Sequence, residues 1–181
     1  MSFKDFLLEK PHEAKGLDAE SIKRMVPSYE KFMGKNHVRV GYYHDFEFLQ
    51  VTERDTILYG LVDIKNEKIV CYVELDKLYN RSNHDIYQQT LIWRSRSINK
   101  DAIDFMRNQI LDDINILVSD DIQSPAGRLY WKRLLRQYVG ASRYEIGSYD
   151  QGKFEKFTED NYEKEFDDLY DTNILIYLKE K

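Results

Sequence analysis

The spacing of apolar residues changes character twice along the chain. Up to Met33 it is helical. Leu17, Ile22, Met25, Val26, Tyr29 and Phe32 form one stripe, predicting a helix over residues 16–33 with a kink at Pro27 and a stop at Gly34. A shorter amphipathic stretch precedes it, with Phe3, Phe6 and Leu7 of MSFKDFLLEK on one side and an end at Pro11. From His37 the period becomes that of a strand. HVRVGYY and FEFLQV read as short strands, and TILYGLVDI and KIVCYVEL alternate and are joined by KNEK, as in an antiparallel hairpin. After the polar LYNRSNHD, the β-branched and aromatic run IYQQTLIWRSR predicts one more strand.

The second change comes at Asn99. NKDAIDFMRNQILDD carries Asn99 as an N-cap and sets Ala102, Ile103, Met106 and Ile110 on one helical face. INILVS is apolar without alternation, as a central buried strand would be. SPAGRLYWKRLLRQYVG has Ser124 as cap, Pro125 at the first helical position and Gly140 as its close. RYEIGSYD and KFEKFT follow as strands, EDNYEKEFDDLY as an acidic helix or loop, and TNILIYLKE as a terminal strand. The order is helix, three or four antiparallel strands, helix, strand, helix and a final antiparallel pair. A strand–helix–strand unit inside a mostly antiparallel sheet makes an α+β (mixed α/β) domain with flanking helices. Residues 1–15 are expected to form an arm or targeting peptide, and residues 16–181 a single domain.

Composition narrows the function classes. With 181 residues, 42% hydrophobic and 14% aromatic, the chain can bury a core, and it is too aromatic for disorder. A net charge of −5 argues against a non-specific nucleic-acid binder. Cys71 is the one cysteine, which excludes an intrachain disulfide and a cysteine-based zinc site, and the four histidines lack metal spacing. No run of apolar residues is long enough to span a membrane, and Lys4, Asp5 and Glu9 interrupt the N-terminal segment, unlike a secretory signal. The expectation is a soluble, cytoplasmic protein.

The segment VSDDIQSPAGRLYWKRL resembles a motif of the GNAT family of N-acetyltransferases. There a central strand is followed by a helix beginning Asn-x-x-Ala-x-x-Leu-Tyr-x-Lys. Here Gln123 stands for the Asn, with Ala126, Leu129, Tyr130 and Lys132 in register. Ala126, Leu129 and Tyr130 also read simply as the buried face of an amphipathic helix. The resemblance covers residues 38–178 and implies a GNAT-like sheet, acetyl-CoA as cosubstrate and acyl transfer to an amine. It makes Tyr130, on a helix beside splayed central strands, the acid that protonates the leaving thiolate. A phenol with a pKa of about 10 suits that role. A packing tyrosine is the competing reading. The base would be a carboxylate or His on a strand, with Glu74, Asp63 and His84 as candidates by position.

The coenzyme signature of the family, Gln/Arg-x-x-Gly-x-Gly/Ala, falls on RSRSINKDAIDF. Its glycines admit a pyrophosphate to a helix N-terminus. Arg96 matches the first position, but Asn99 and Asp101 replace the glycines. Asp101 and Asp104 put negative charge in the first turn, which favours the helix and repels a phosphate, while Lys100, Arg94 and Arg96 offset part of that repulsion. Two functions therefore stand open. One is an acyl-CoA-dependent N-acyltransferase. The other is a GNAT-like protein with weak or lost acyl-CoA binding that needs no cofactor and acts on a protein partner.

Two further segments bear on that choice. VGASRYEIGSYDQGKFEKFTED resembles the end of a GNAT-like internal virion protein of short-tailed phages, and MSFKDFLLE resembles the head-targeting peptides of internal proteins in tailed phages, cut after Leu-x-Glu. Here the cut would follow Glu9, leaving the rest in a virion or the host cytoplasm with a virion or host protein as partner. A short helix docked through Phe3, Phe6 and Leu7 is the alternative. Two sets of residues remain. Cys71 alternates with Ile69 and Val73 as a small buried hydrophobe. Arg128, Lys132 and Arg136 form a basic stripe, open either to phosphate or to the acidic segment 159–171, which could itself be a partner-binding surface.

Overall fold

The computed structural model describes residues 32, 34–65, 68–78, 85–95, 98–120, 125–169 and 175–180. The helix expected over residues 16–33, apart from Phe32, and the N-terminal amphipathic segment lie outside the described residues. Among the described residues nine strands form one sheet: β1 (Val38–Tyr43), β2 (Phe46–Glu53), β3 (Thr56–Asp63), β4 (Lys68–Leu78), β5 (Ile86–Arg94), β6 (Ile116–Val118), β7 (Tyr144–Asp150), β8 (Lys153–Lys156) and β9 (Leu175–Glu180). Their order across the sheet is β1-β2-β3-β4-β5-β6-β9-β7-β8. Three helices are described: α1 (Lys100–Asp113), α2 (Pro125–Tyr138) and α3 (Tyr162–Asp168). The fold is α+β, with a mostly antiparallel sheet. Among the described residues five strands, rather than three or four, precede α1. The last part is three strands with α3 inserted before β9, rather than a single closing pair.

The chain divides into two compact units, and β4, β5 and α1 contribute to both. The first comprises residues 1–75 and 91–109. In it β2 and β3 pair antiparallel, setting Phe48 opposite Leu61, Leu49 opposite Gly60, and Val51 opposite Leu58. Because neighbours alternate between faces, that register separates two apolar layers. On one, Leu49, Val51, Leu58 and Val62 join Ile69, Tyr72 and Trp93 around Phe32. On the other, Phe48 stacks on Tyr59, and Phe105 of α1 meets Phe48 at 6.2 Å and Tyr43 at 5.2 Å between ring centroids.

Both faces of β3 and β4 are therefore covered. Ile57 to Leu61 are buried without a break, and so are Cys71, Tyr72 and Val73. The alternation expected of TILYGLVDI and KIVCYVEL does not translate into one wet face. Residues 57–62 and 69–73 are unbroken apolar runs, so neither face of these strands carries a polar row to meet water. Gly60 admits Phe32, since a Cβ built there would lie 2.6 Å from the Phe32 ring.

The second unit comprises residues 76–90 and 110–181. Its centre is β6, whose three residues are all buried, as expected of INILVS. It runs parallel to β5, pairing Ile86 with Ile116 and Gln88 with Val118, and antiparallel to β9. β9 continues to β7, and β7 to β8. Ser119, just past β6, fixes that end. Its N–H donates to the Ile176 carbonyl at 2.8 Å, and its Oγ accepts the Ile176 N–H at 2.9 Å.

Trp131, Leu134, Leu135 and Tyr138 form the buried side of α2, with Tyr138 edge-on to Tyr144 of β7 at 5.1 Å. Leu129 is 58% exposed, which corrects its expected place on the buried face, and Tyr130 is half-buried. The buried stripe runs at i, i+3, i+4 and i+7 from Trp131, which leaves Leu129 on the far side of the helix. Gly140 has φ +76°, the left-handed close expected after α2.

Candidate functional site

α1 begins where the coenzyme loop was expected, in the first unit. Asn99 precedes it, and its Oδ1 accepts the Ala102 N–H at 2.8 Å. That is the N-cap expected of Asn99, and it takes one of the amide donors a phosphate would need. Asp101 stands in the first turn and is exposed. Lys100 is 79% exposed and its Nζ lies 3.8 Å from Asp104 Oδ2, while Arg107 Nη1 lies 3.1 Å from Asp104 Oδ1. The local field is thus a mixture of carboxylates and cations along α1 itself. These residues do not fit a pyrophosphate: the cap is filled, no glycine opens the approach, and Asp101 opposes the charge. Arg96 lies outside the described residues. Arg94, the last residue of β5, is exposed.

The catalytic candidates are distributed between the two units. Glu74 is half-buried on β4, in the first unit, and accepts from the Tyr72 hydroxyl at 3.4 Å. Asp63 ends β3, half-buried, in the same unit. Tyr130 belongs to the second unit, half-buried on α2, with its ring edge-on to Trp131 at 6.0 Å. His84 and Gln123 lie outside the described residues. β6 pairs with β5 only over Ile86–Gln88, and β5 runs on to Arg94 beyond that pairing.

Cys71 is 1% exposed in the first unit, between Ile69 and Val73, both buried. Burial pushes its thiol up to about 12, and the Arg94 and Arg107 charges offset only part of that. A thiol so protonated is no nucleophile. It is the small buried hydrophobe that its strand position implies. Among the described residues no group of three His, Cys, Asp or Glu side chains is placed to hold a metal ion. No described helix is long and apolar enough to cross a membrane.

The basic stripe of α2 has a definite counterpart. Lys132 Nζ lies 3.0 Å from Asp167 Oδ1, Arg136 Nη2 lies 2.9 Å from Glu163 Oε1, and Arg128 Nη2 lies 3.7 Å from Asp167 Oδ1. Of the two readings of this stripe, it is the acidic segment that meets it. Arg136, together with the Tyr162 hydroxyl, holds the Glu163 carboxyl below its ordinary range. Sequence reasoning did not single out Phe166. It is 1% exposed, and the Arg128 guanidinium sits over its ring at 4.6 Å. The signal was present as helical spacing: Glu163, Phe166 and Asp167 share one face.

Glu145 was also not anticipated. It accepts from the Tyr177 hydroxyl at 2.8 Å and lies 3.1 Å from Lys179 Nζ. Partial burial resists its charge, but the Tyr177 and Lys179 hydrogen bonds, with the Lys179 and Lys156 charges, leave the carboxyl below its usual value. This network ties β7 to β9. Compared with known protein families, the chain matches none, and no curated protein matches it.

Proposed function

We propose that the chain is a GNAT-like protein that has lost acyl-CoA chemistry and acts by binding another protein, as a phage-encoded, virion-associated component. The observation that carries this reading is the start of α1, where Asn99 fills the cap and Asp101 stands in the first turn. A pyrophosphate needs open amides there, and this helix offers a capped one beside a carboxylate. The GNAT-like part rests on the resemblance of VSDDIQSPAGRLYWKRL, with which the parallel pairing of β5 and β6 is compatible. The virion setting rests on the N-terminal and C-terminal resemblances, and the protein partner on the charged surface between α2 and α3.

Isothermal titration with acetyl-CoA tests the reading. The expected result is no binding heat at high micromolar ligand, and no release of free thiol in the presence of amines. Saturable binding with turnover that Tyr130→Phe abolishes, the fold being intact, would establish the acyltransferase instead. The virion setting has its own test in the mass of the chain from the natural particle. A mature N-terminus at Lys10 is expected, and one at Met1 or Ser2 removes the targeting role of MSFKDFLLE.

A further inference from the structure

The basic face of α2 already carries an occupant, and that occupant shows what the surface accepts. α3 places the Phe166 ring 4.6 Å from the Arg128 guanidinium and 5.9 Å from Lys132 Nζ. Arg128 Nη2 donates to the Phe166 carbonyl at 3.3 Å. Asp167 and Glu163 then receive Lys132 and Arg136. The pattern recognised is a carboxylate, an aromatic three residues on, and a carboxylate directly after it. On a helix these three share a face.

α3 is held on α2 by one apolar anchor and a set of exposed ion pairs. Its seven residues are too few for a helix to persist without support, and Phe166 is its one buried residue. The Arg136 and Glu163 side chains are 59% and 52% exposed, and Asp167 is 57% exposed. Ion pairs that open to water contribute little each and are screened by salt.

We propose that this face of α2 is a docking surface for an acidic amphipathic helix of a partner protein, with α3 as its resident and displaceable occupant. The inference rests on the reading of the chain as an interaction protein, and it supplies the chemistry of the partner. The partner helix presents a carboxylate–aromatic–carboxylate face, puts its ring under Arg128, and competes with α3 for Lys132 and Arg136. Because α3 is tethered, it competes at high effective concentration, so the full chain is closed until a stronger helix arrives.

The test uses the full chain and a fluorescent peptide with the sequence of residues 159–169, followed by anisotropy. The double variant Glu163→Gln/Asp167→Asn changes only exposed side chains and weakens the resident helix. It is expected to bind the peptide at least about tenfold more tightly than the unaltered chain. Adding Lys132→Glu should remove that gain, and a scrambled peptide of equal charge should not bind. Equal affinity of the two chains, or equal binding of the scrambled peptide, would overturn the proposal. Amide exchange gives a second readout. α3 should exchange faster at about 0.5 M salt while β9 stays protected, and exchange of α3 only together with β9 would overturn displaceability. A chain that binds neither coenzyme nor peptide defeats this inference alone, whereas coenzyme turnover defeats the reading it rests on.

Discussion

Gly60 lies under an aromatic ring, and this gives the first unit a sharp test. A methyl group there would come within 2.6 Å of Phe32, which is itself fully buried. Gly60→Ala should lower stability by about 1–3 kcal/mol through overpacking, seen as a lower denaturant midpoint at unchanged slope. No loss would mean that Phe32 is not held against β3. Cys71 gives a test that needs no mutation. With its thiol raised to about 12 by burial, it should resist an aromatic disulfide reagent at about pH 8 in the native protein and react fully in denaturant. Prompt reaction in the native state would contradict the packing of β4. Asn99→Ala removes the cap on α1 and should lower stability by about 0.5–2 kcal/mol. Asn99 was legible in the sequence because a cap depends on residues within one turn. Phe32 above Gly60 was not, because that contact joins segments whose pairing only the folded sheet reveals.

At the scale of elements, α2 separates what local pattern specifies from what it leaves open. Its limits were readable from Pro125 and Gly140, but its buried side was not. The motif drew Leu129 inward, whereas Trp131, Leu134, Leu135 and Tyr138 occupy that side. Leu135→Ala should therefore lower stability by about 2–5 kcal/mol, and Leu129→Ala by less than about 0.5 kcal/mol, by thermal or chemical unfolding. α3 shows the reverse. Its acidic composition suggested a solvent-facing or partner-binding surface, and Phe166 seats it on α2. The Glu163 carboxyl is depressed in the folded state, so the stability it adds to this contact is present above the ordinary glutamate value of about 4.3. That stability is lost as pH falls through the lower folded value. Lowering the pH into that range should accelerate exchange of the α3 amides before those of β6. TILYGLVDI and KIVCYVEL are expected to alternate, but residues 57–62 and 69–73 are unbroken apolar runs, the pattern of strands buried on both faces. On one face β3 and β4 pack around Phe32, and on the other Tyr59 of β3 stacks on Phe48.

For the whole molecule, the succession of elements was the legible part, since each is signalled by local period and punctuation. The class, a mostly antiparallel sheet with helices, followed from that order. The sheet's sequence of neighbours did not, because placing β9 between β6 and β7 depends on long-range pairing. The functional reading turns on a smaller region, the first turn of α1. It is tested most directly by titrating acetyl-CoA into isotope-labelled protein and following the backbone amides of residues 99–104. These resonances should stay in place throughout the titration. Saturable shifts centred on Lys100, Asp101 and Ala102 would show a phosphate seated at that helix start, and would contradict the functional reading.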